Sequence, residues 1–247
     1  MKFFGRTREE RPLAAVSRGT WSVFVAALLI HLTCQSLAPR PSAQASALRD
    51  PPPTAWLRAA SLGEPVAFAQ LLTLYLQAFD NQPGVSIAFA RLDYAVVIDW
   101  LSALIDLDPA AQYPLMMASH VYSQVADETK QRAMLDFVRQ QFLRDPERRW
   151  RWLAHAALIA KHRLHDMPLA LRYAEDIARN ARSAPGWARQ MRIFILEDMG
   201  ESEAAAVLLG GLLESGEVTD TNEMRFLTQR LDSIKSAEKS PRPSVVR

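Results

Sequence analysis

The sequence has little cysteine and little net charge. Its 247 residues include one cysteine, Cys34, which lies in an apolar stretch near the N-terminus. Disulfides and cysteine metal sites are therefore excluded from the rest of the chain. The net charge is only +2, and five basic residues lie among the first 18 positions, so the remainder is nearly neutral. Because nucleic-acid-binding domains generally carry a strongly basic face, we expect no nucleic-acid partner.

Several catalytic motifs are also missing. The chain contains no Gly-x-Ser-x-Gly elbow, no glycine-rich phosphate loop and no His-Glu-x-x-His motif. Gly210 and Gly211 fall within a helical pattern, where small residues are expected to permit close packing. No segment alternates strictly between apolar and polar residues, so we expect no β-sheet. These absences favour an all-α protein that is not an enzyme and needs no cofactor or metal.

An apolar segment follows the basic N-terminus. No Asp, Glu, Lys or Arg occurs between Gly19 and Pro39, and about 20 such residues span a bilayer as a helix. We predict a transmembrane signal anchor over residues 19–38. Residues 1–18 would form a basic cytoplasmic N-terminus of a protein in a bacterial-type inner membrane. The residues after the anchor would then lie in the periplasm. The predicted membrane-spanning side chains are Trp21, Phe24, Leu28, Leu29 and Ile30.

A cleaved signal peptide is the alternative to the anchor. Ala43-Gln44-Ala45 and Ala45-Ser46-Ala47 both fit the small-x-small cleavage pattern. Cleavage there would release a soluble periplasmic binding module. Both sites lie well beyond the apolar run, which favours the anchor.

The remaining chain predicts a linker, a helical domain and a tail. Residues 39–53 contain five prolines and predict an extended, semi-rigid linker. Apolar residues at helical spacing then indicate a domain over residues 54–236, in which Thr54 is the expected cap of the first helix. Residues 237–247 are polar and predict a disordered tail. The predicted helices are 54–62, 65–80, 92–107, 113–125, 128–143, 148–164, 167–181, 187–199, 202–213 and 222–236.

The helical segments repeat in pairs. Prolines close successive pairs at spacings of 37 and 39 residues, and an alanine recurs near the start of each second helix. Each pair is too small to bury its own apolar face, so neighbouring pairs must stack. The residues concerned are Pro109, Pro146, Pro185, Ala133, Ala170 and Ala205.

Two segments resemble the tetratricopeptide repeat (TPR) family. Residues 165–174, HDMPLALRYA, are similar to the family's turn and the start of its second helix, and residues 198–205, DMGESEAA, are a second match. The resemblance implies a right-handed solenoid of about four helical hairpins. It also implies a protein-binding scaffold or assembly factor for a membrane or envelope complex, whose partner is a protein or peptide segment.

In such solenoids the first helix of each hairpin lines the concave binding surface. A basic run beside Trp150 and Trp152 favours an acidic partner, because arginine and tryptophan are common at interface hot spots; a helix start with a solvated face is the alternative. A stripe from Trp187 to Ile195 is predicted to be core. The predicted partner-binding residues are Tyr113, Met117, His120, Gln124, Arg148, Arg149, Arg151, His155, His162, Arg189 and Arg192.

A histidine cluster supports a second hypothesis. His155 and His162 are seven residues apart and share a helix face, and His165 lies at the following turn beside Asp166. A metal ion needs three or four converging ligands. If His155, His162 and His165 converge, the protein would be a helical metal-dependent hydrolase.

Overall fold

The structure is a computed structural model that describes residues 16–37, 45–82 and 84–239. Helices account for 75% of the described residues, so the prediction of a helical protein is confirmed. The described residues form eleven α-helices: α1 (Arg18–Leu37), α2 (Thr54–Ala60), α3 (Pro65–Ala78), α4 (Tyr94–Leu107), α5 (Tyr113–Met116), α6 (Glu128–Arg144), α7 (Pro146–His162), α8 (Met167–Asn180), α9 (Gly186–Asp198), α10 (Ser202–Glu214) and α11 (Thr221–Lys239).

Helix α1 coincides with the predicted anchor. It is 20 residues long, and among the described residues it is the one helix long and apolar enough to cross a membrane. All of its side chains are exposed, including the five predicted to span the bilayer. It belongs to one compact unit, residues 1–44, and the other helices belong to a second unit, residues 45–247. Most of the predicted basic N-terminus and of the predicted tail lies outside the described residues.

The second unit begins earlier than the sequence predicts. Leu48 is buried in the main core, and the backbone carbonyl of Arg49 accepts a hydrogen bond from Trp100 Nε1 at 2.8 Å. Ser46 donates both its N–H and its hydroxyl to the Gln82 side-chain oxygen. Residues 45–53, expected to be linker, are therefore packed against the helices, because Leu48 is buried in the core and the Arg49 carbonyl accepts the hydrogen bond of the Trp100 indole. Residues 38–44 lie outside the described part.

Aspartates start many of the helices. The side chains of Asp93, Asp127, Asp145 and Asp166 each accept a backbone N–H from the first turn of α4, α6, α7 or α8, which satisfies donors that have no partner within the helix. Thr54 was expected to cap α2, but the cap position is Pro53 and α2 has no side-chain cap.

Consecutive helices pack as pairs, and α7 with α8 and α9 with α10 are joined by short turns. The clearest case is α7 with α8: the Glu147 carboxylate at the start of α7 accepts the backbone N–H groups of Arg182 and Ser183 after the end of α8. The pairs are α3 with α4, the segment from α5 to Gln124 with α6, α7 with α8, and α9 with α10, and α11 packs on α10. We call the earlier member of each pair a first helix and the later one a second helix.

Neighbouring pairs meet through both sets of helices. Among first helices, Trp150 of α7 contacts Trp187 of α9 with ring centroids 5.7 Å apart. Among second helices, α4 packs on α6, and Arg139 of α6 pairs with Asp176 of α8 at 2.6 Å. The main core extends from Leu48 to Ile195, and a smaller cluster joins α9, α10 and α11. Ala170 and Ala205 are fully buried as the repeat predicts, whereas Ala133 is half-buried.

Two short segments depart from regular α-helix. Residues Asn81–Gln82 and Val85–Ser86 form a two-stranded antiparallel ribbon, β1 and β2, so the expectation of no sheet is wrong for this turn.

The predicted helix 113–125 continues from α5 as a π-helical turn, Met117–Val121, and a 3-10 turn, Tyr122–Gln124. Its serine hydroxyls hydrogen-bond to backbone carbonyls three and four residues earlier, a contact that competes with regular helix bonding.

Candidate functional site

A row of exposed side chains, with the half-buried His155 among them, follows two neighbouring first helices. On α7, four side chains at spacings of three and four residues lie on one side of the helix, and α5 with its continuation adds three more. Six of the seven were predicted as partner contacts, and Leu158 was not. We call this row the first-helix face: Tyr113, His120, Gln124, Arg151, His155, Leu158 and His162.

Two stacked histidines lie at the centre of this face. The rings of His120 and His155 have centroids 3.7 Å apart and planes only 10° apart. His120 Nδ1 lies 2.8 Å from the Ser119 hydroxyl, and the rings of His120 and Trp152 are nearly perpendicular, with centroids 5.8 Å apart. The Nε2 atom of His155 is buried and has no hydrogen-bond partner among the described residues.

The environment of His155 favours the neutral form of its ring. Burial lowers the pKa of His155 below its ordinary value of 6.5, and the neighbouring His120 lowers it further. The backbone of Ser119 acts in the opposite direction. The centre of the face is therefore aromatic and weakly polar, while Arg151 lies exposed to one side of it along α7.

Side-chain hydrogen bonds connect the first helices beneath this face. Trp152 Nε1 donates to the Gln112 side-chain oxygen at 2.7 Å. At the two ends, Gln77 of α3 donates to the Tyr113 hydroxyl, and Arg163 donates to the side-chain oxygen of Gln124. These bonds join α3, α5 and α7, so the face is held in shape before any partner binds.

Two predicted contact residues are buried instead. Met117 is 3% exposed and belongs to the main core. Arg149 is 4% exposed and donates to the backbone carbonyl of Gln141 at 2.8 Å and to that of Pro109 at 3.1 Å. These predictions are wrong because the two side chains lie on the inner side of their helices. Arg148, by contrast, is exposed and lies 3.5 Å from Asp145.

Arg189 and Arg192 lie in a different place from the first-helix face. Both line a cleft of about 820 Å³ between α8, α9, α10 and the start of α11, which we call the arginine cleft. Arg179 and Arg182, which are not among the predicted partner-binding residues, also line it. The signal was available in the sequence, because four arginines occur within residues 179–192.

Trp187 also departs from expectation. It was predicted to be core, but it is 55% exposed at the start of α9, whereas Met191 and Ile195 of the same stripe are buried. Its contact with Trp150 extends the aromatic surface of α7 onto α9.

The histidines of the metal hypothesis are not brought together as a ligand set. In the described part of the chain, no group of three or more His, Cys, Asp or Glu side chains is placed to hold a metal ion. Asp166 accepts a hydrogen bond from Arg132 at 2.6 Å and caps α8, and the Arg132 contact lowers the pKa of this carboxyl below its ordinary value. His155 stacks on His120 rather than on His162 or His165.

No protein-family model, no curated protein and no solved structure matches this chain. The assignment of a function therefore depends on the geometry of the two surfaces.

Proposed function

We propose that this chain is a membrane-anchored protein-binding scaffold whose helix pairs form a short, right-handed, TPR-like solenoid of about four hairpins. The observation that carries the proposal is the first-helix face, a row of exposed and half-buried side chains with two stacked histidines at its centre and an adjacent arginine. Tyrosine and arginine, which Tyr113 and Arg151 supply to this face, are enriched among the residues that dominate the energetics of protein interfaces. The partner is a protein or peptide segment of a membrane or envelope complex.

The architecture supports this proposal. Each helix pair packs on the next through first helices and through second helices, which is the arrangement that a stack of hairpins needs. The similarity of residues 165–174 and 198–205 to TPR sequences points in the same direction. In such a solenoid, the first helices line the surface that receives the partner.

The chemistry of the face suggests how a segment binds. Leu158 is 44% exposed between His155 and His162, and it offers an apolar contact. Arg151 lies over the Trp150 ring with its guanidinium carbon 5.7 Å from the ring centroid, so its orientation is restrained before binding. We expect a partner segment with an apolar side chain against Leu158 and an acidic residue near Arg151.

Helix α1 provides the anchoring part of the proposal. Its length and apolar character suit a single membrane crossing, and the basic residues that precede it favour a cytoplasmic N-terminus. The second unit would then act outside the cytoplasm, beside the membrane.

Site-specific photocrosslinking of the full-length chain in its membrane tests the proposal. A benzophenone amino acid is introduced at Leu158 or at Tyr113, with Arg172, exposed on the second helix α8, as the control position. We expect the same discrete adduct from both first-helix positions and none from position 172. Mass spectrometry of the adduct then identifies the partner.

Charge reversal provides the matched comparison. Arg151→Glu is expected to abolish the adduct formed at Leu158, and Arg172→Glu is expected to leave it unchanged. Adducts of equal yield from all three positions, or equal effects of the two reversals, would contradict binding on the first-helix face.

A further inference from the structure

The arginine cleft lies where the second helices α8 and α10 flank the first helix α9. Within the described residues both helices pack on α9 and make little direct contact with each other. Arg189 and Arg192 of α9 line the cleft, and α10 contributes an apolar wall that includes Val207, Leu208 and Leu212.

Two glycines of α10, Gly210 and Gly211, present no side chain beside this apolar wall. A Cβ atom added to Gly210 or Gly211 would meet no atom within 4 Å, so the expectation that they permit close helix packing is wrong. Glycine inside a helix is less favourable than alanine, and no packing contact in the described residues compensates at these positions. Gly211 lines the cleft, where the absence of a side chain keeps the space open.

The cleft contains more arginine than its own acids neutralise. Four arginines line it, together with Glu217, Asp220 and Glu223. In the described residues the ion pairs of these arginines are Arg189–Glu217 at 2.9 Å and Arg179–Glu175 at 2.6 Å. Arg182 and Arg192 take part in neither.

The remaining acids of the cleft are engaged elsewhere. Glu223 accepts a hydrogen bond from Gln190 at 2.6 Å, and Asp220 accepts backbone N–H groups at the start of α11. In the described residues neither acid makes an ion pair with Arg182 or Arg192, and both guanidinium groups are available to a ligand, with the Glu147 carboxylate near Arg182.

Buried donors add a second observation. The Nε atoms of Arg189 and Arg192 are both buried and have no hydrogen-bond partner among the described residues. A buried N–H group without an acceptor is unfavourable, and more so when it is charged. Both side chains line the cleft, so an acidic ligand there lies next to their guanidinium groups.

The surroundings favour carboxylate over phosphate. A guanidinium group binds either anion through two parallel hydrogen bonds, but three carboxylates line the same cleft and oppose the denser charge of phosphate. The apolar wall of α10 suits hydrocarbon side chains, and about 820 Å³ is enough for a short peptide segment.

We propose that the arginine cleft is a second binding site that takes an acidic protein segment, with its carboxylates on Arg182, Arg189 and Arg192 and an apolar side chain against α10. The choice of a protein as the source of the carboxylate rests on the proposed function. The cleft is separate from the first-helix face, so the chain holds two partners, or two parts of one partner, at the same time.

Fluorescence anisotropy with the full-length chain in detergent micelles tests this site. The probe is a labelled peptide of alternating glutamate and leucine with blocked ends, and its reference is the same peptide with glutamine in place of glutamate. We expect saturable binding of the acidic peptide and at least about tenfold weaker binding of the glutamine peptide.

Two pairs of variants locate the binding. Gly211→Phe fills the cleft without changing a charge, and Gly210→Phe places the same side chain one position away, outside the residues that line the cleft. Arg192→Gln removes one guanidinium group from the cleft, and Arg151→Gln removes one from the first-helix face. We expect the cleft variant of each pair to weaken binding about tenfold or more and its control to change it less than twofold.

Several outcomes would overturn the proposal. These are equal binding of the two peptides, equal effects within either pair, or no saturable binding at about millimolar peptide. Competition by succinate as strong as that of the acidic peptide would assign the cleft to small organic acids, and stronger competition by inorganic phosphate would refute the carboxylate preference. The outcome is distinct from that of the photocrosslinking, because Arg151 variants affect only the first-helix face.

Discussion

Replacement of Arg149 by methionine is expected to destabilise the helical unit, although Arg148 and Arg151 on either side are exposed. The guanidinium group of Arg149 donates to the Gln141 carbonyl at 2.8 Å, to the Gln141 side-chain oxygen at 3.1 Å and to the Pro109 carbonyl at 3.1 Å. These contacts connect α7 to α6 and to the loop after α4. Methionine retains much of the hydrocarbon volume but leaves these acceptors without a donor.

The magnitude follows from two opposing effects. A hydrogen bond from a charged donor contributes about 1.5–3 kcal/mol, and an acceptor that is left buried without a donor adds its own penalty. Burial of the guanidinium charge acts in the other direction, because desolvation already lowers the pKa of Arg149. We expect a net loss of about 2–4 kcal/mol in the free energy of unfolding, and hence a fall of about 5–15 °C in Tm for a unit of this size.

Urea and thermal unfolding of the full-length chain in detergent, followed by the helical circular dichroism signal, provide the assay. Arg148→Met is the matched control, because the Arg148 side chain is exposed and its contact with Asp145 at 3.5 Å is a surface ion pair. Such a pair contributes about 0–1 kcal/mol. Equal losses of stability in the two variants, or an unchanged urea midpoint for Arg149→Met, would refute the structural role assigned to Arg149.

Three further predictions concern other parts of the chain. The pKa of His155 is depressed in the fold, so its neutral ring contributes stability above pH 6.5 that is lost as the pH falls below that value. His155→Phe should therefore reduce the change in the urea unfolding midpoint between pH 8 and pH 5. An equal change of midpoint with pH in both proteins would contradict this. Asp166→Ala should lower the free energy of unfolding by about 1–2 kcal/mol in urea titrations, because α8 loses its cap; an unchanged midpoint would show that the cap contributes nothing. Introducing arginine at both Leu28 and Leu29 should move the chain from the membrane pellet to the supernatant after an alkaline wash, because a charge at the centre of a spanning helix is unfavourable by about 2.5–3.5 kcal/mol; retention in the pellet would contradict anchoring by α1.

Sequence reasoning located most helices because their signals are local. The periodicity of apolar residues predicted α8 over 167–181, and the structure has Met167–Asn180. Proline marks helix boundaries but does not show whether a helix ends or begins there. The sequence predicts that Pro146 closes one helix pair, whereas Pro146 is the first residue of α7 and Asp145 caps that helix. Proline is tolerated at the first helical position because its missing N–H would have no partner there.

Contacts between distant residues were beyond this reasoning. His155 was grouped with His162 and His165, its neighbours in sequence, yet its ring stacks on His120, which belongs to the preceding helix pair. Periodicity shows that two residues share a helix face, but it does not show which neighbouring helix that face meets.

The sequence by itself determined the helical class, the apolar segment that becomes α1 and the succession of helix pairs, because each depends on composition and on residues within a few positions of one another. Only the tertiary structure decided which arginines are buried and which are available to a ligand. Arg149 is buried because backbone carbonyls from two other segments converge on it, and the arginine cleft forms where α8, α9, α10 and the start of α11 come together. Both results depend on how helices far apart in the sequence pack.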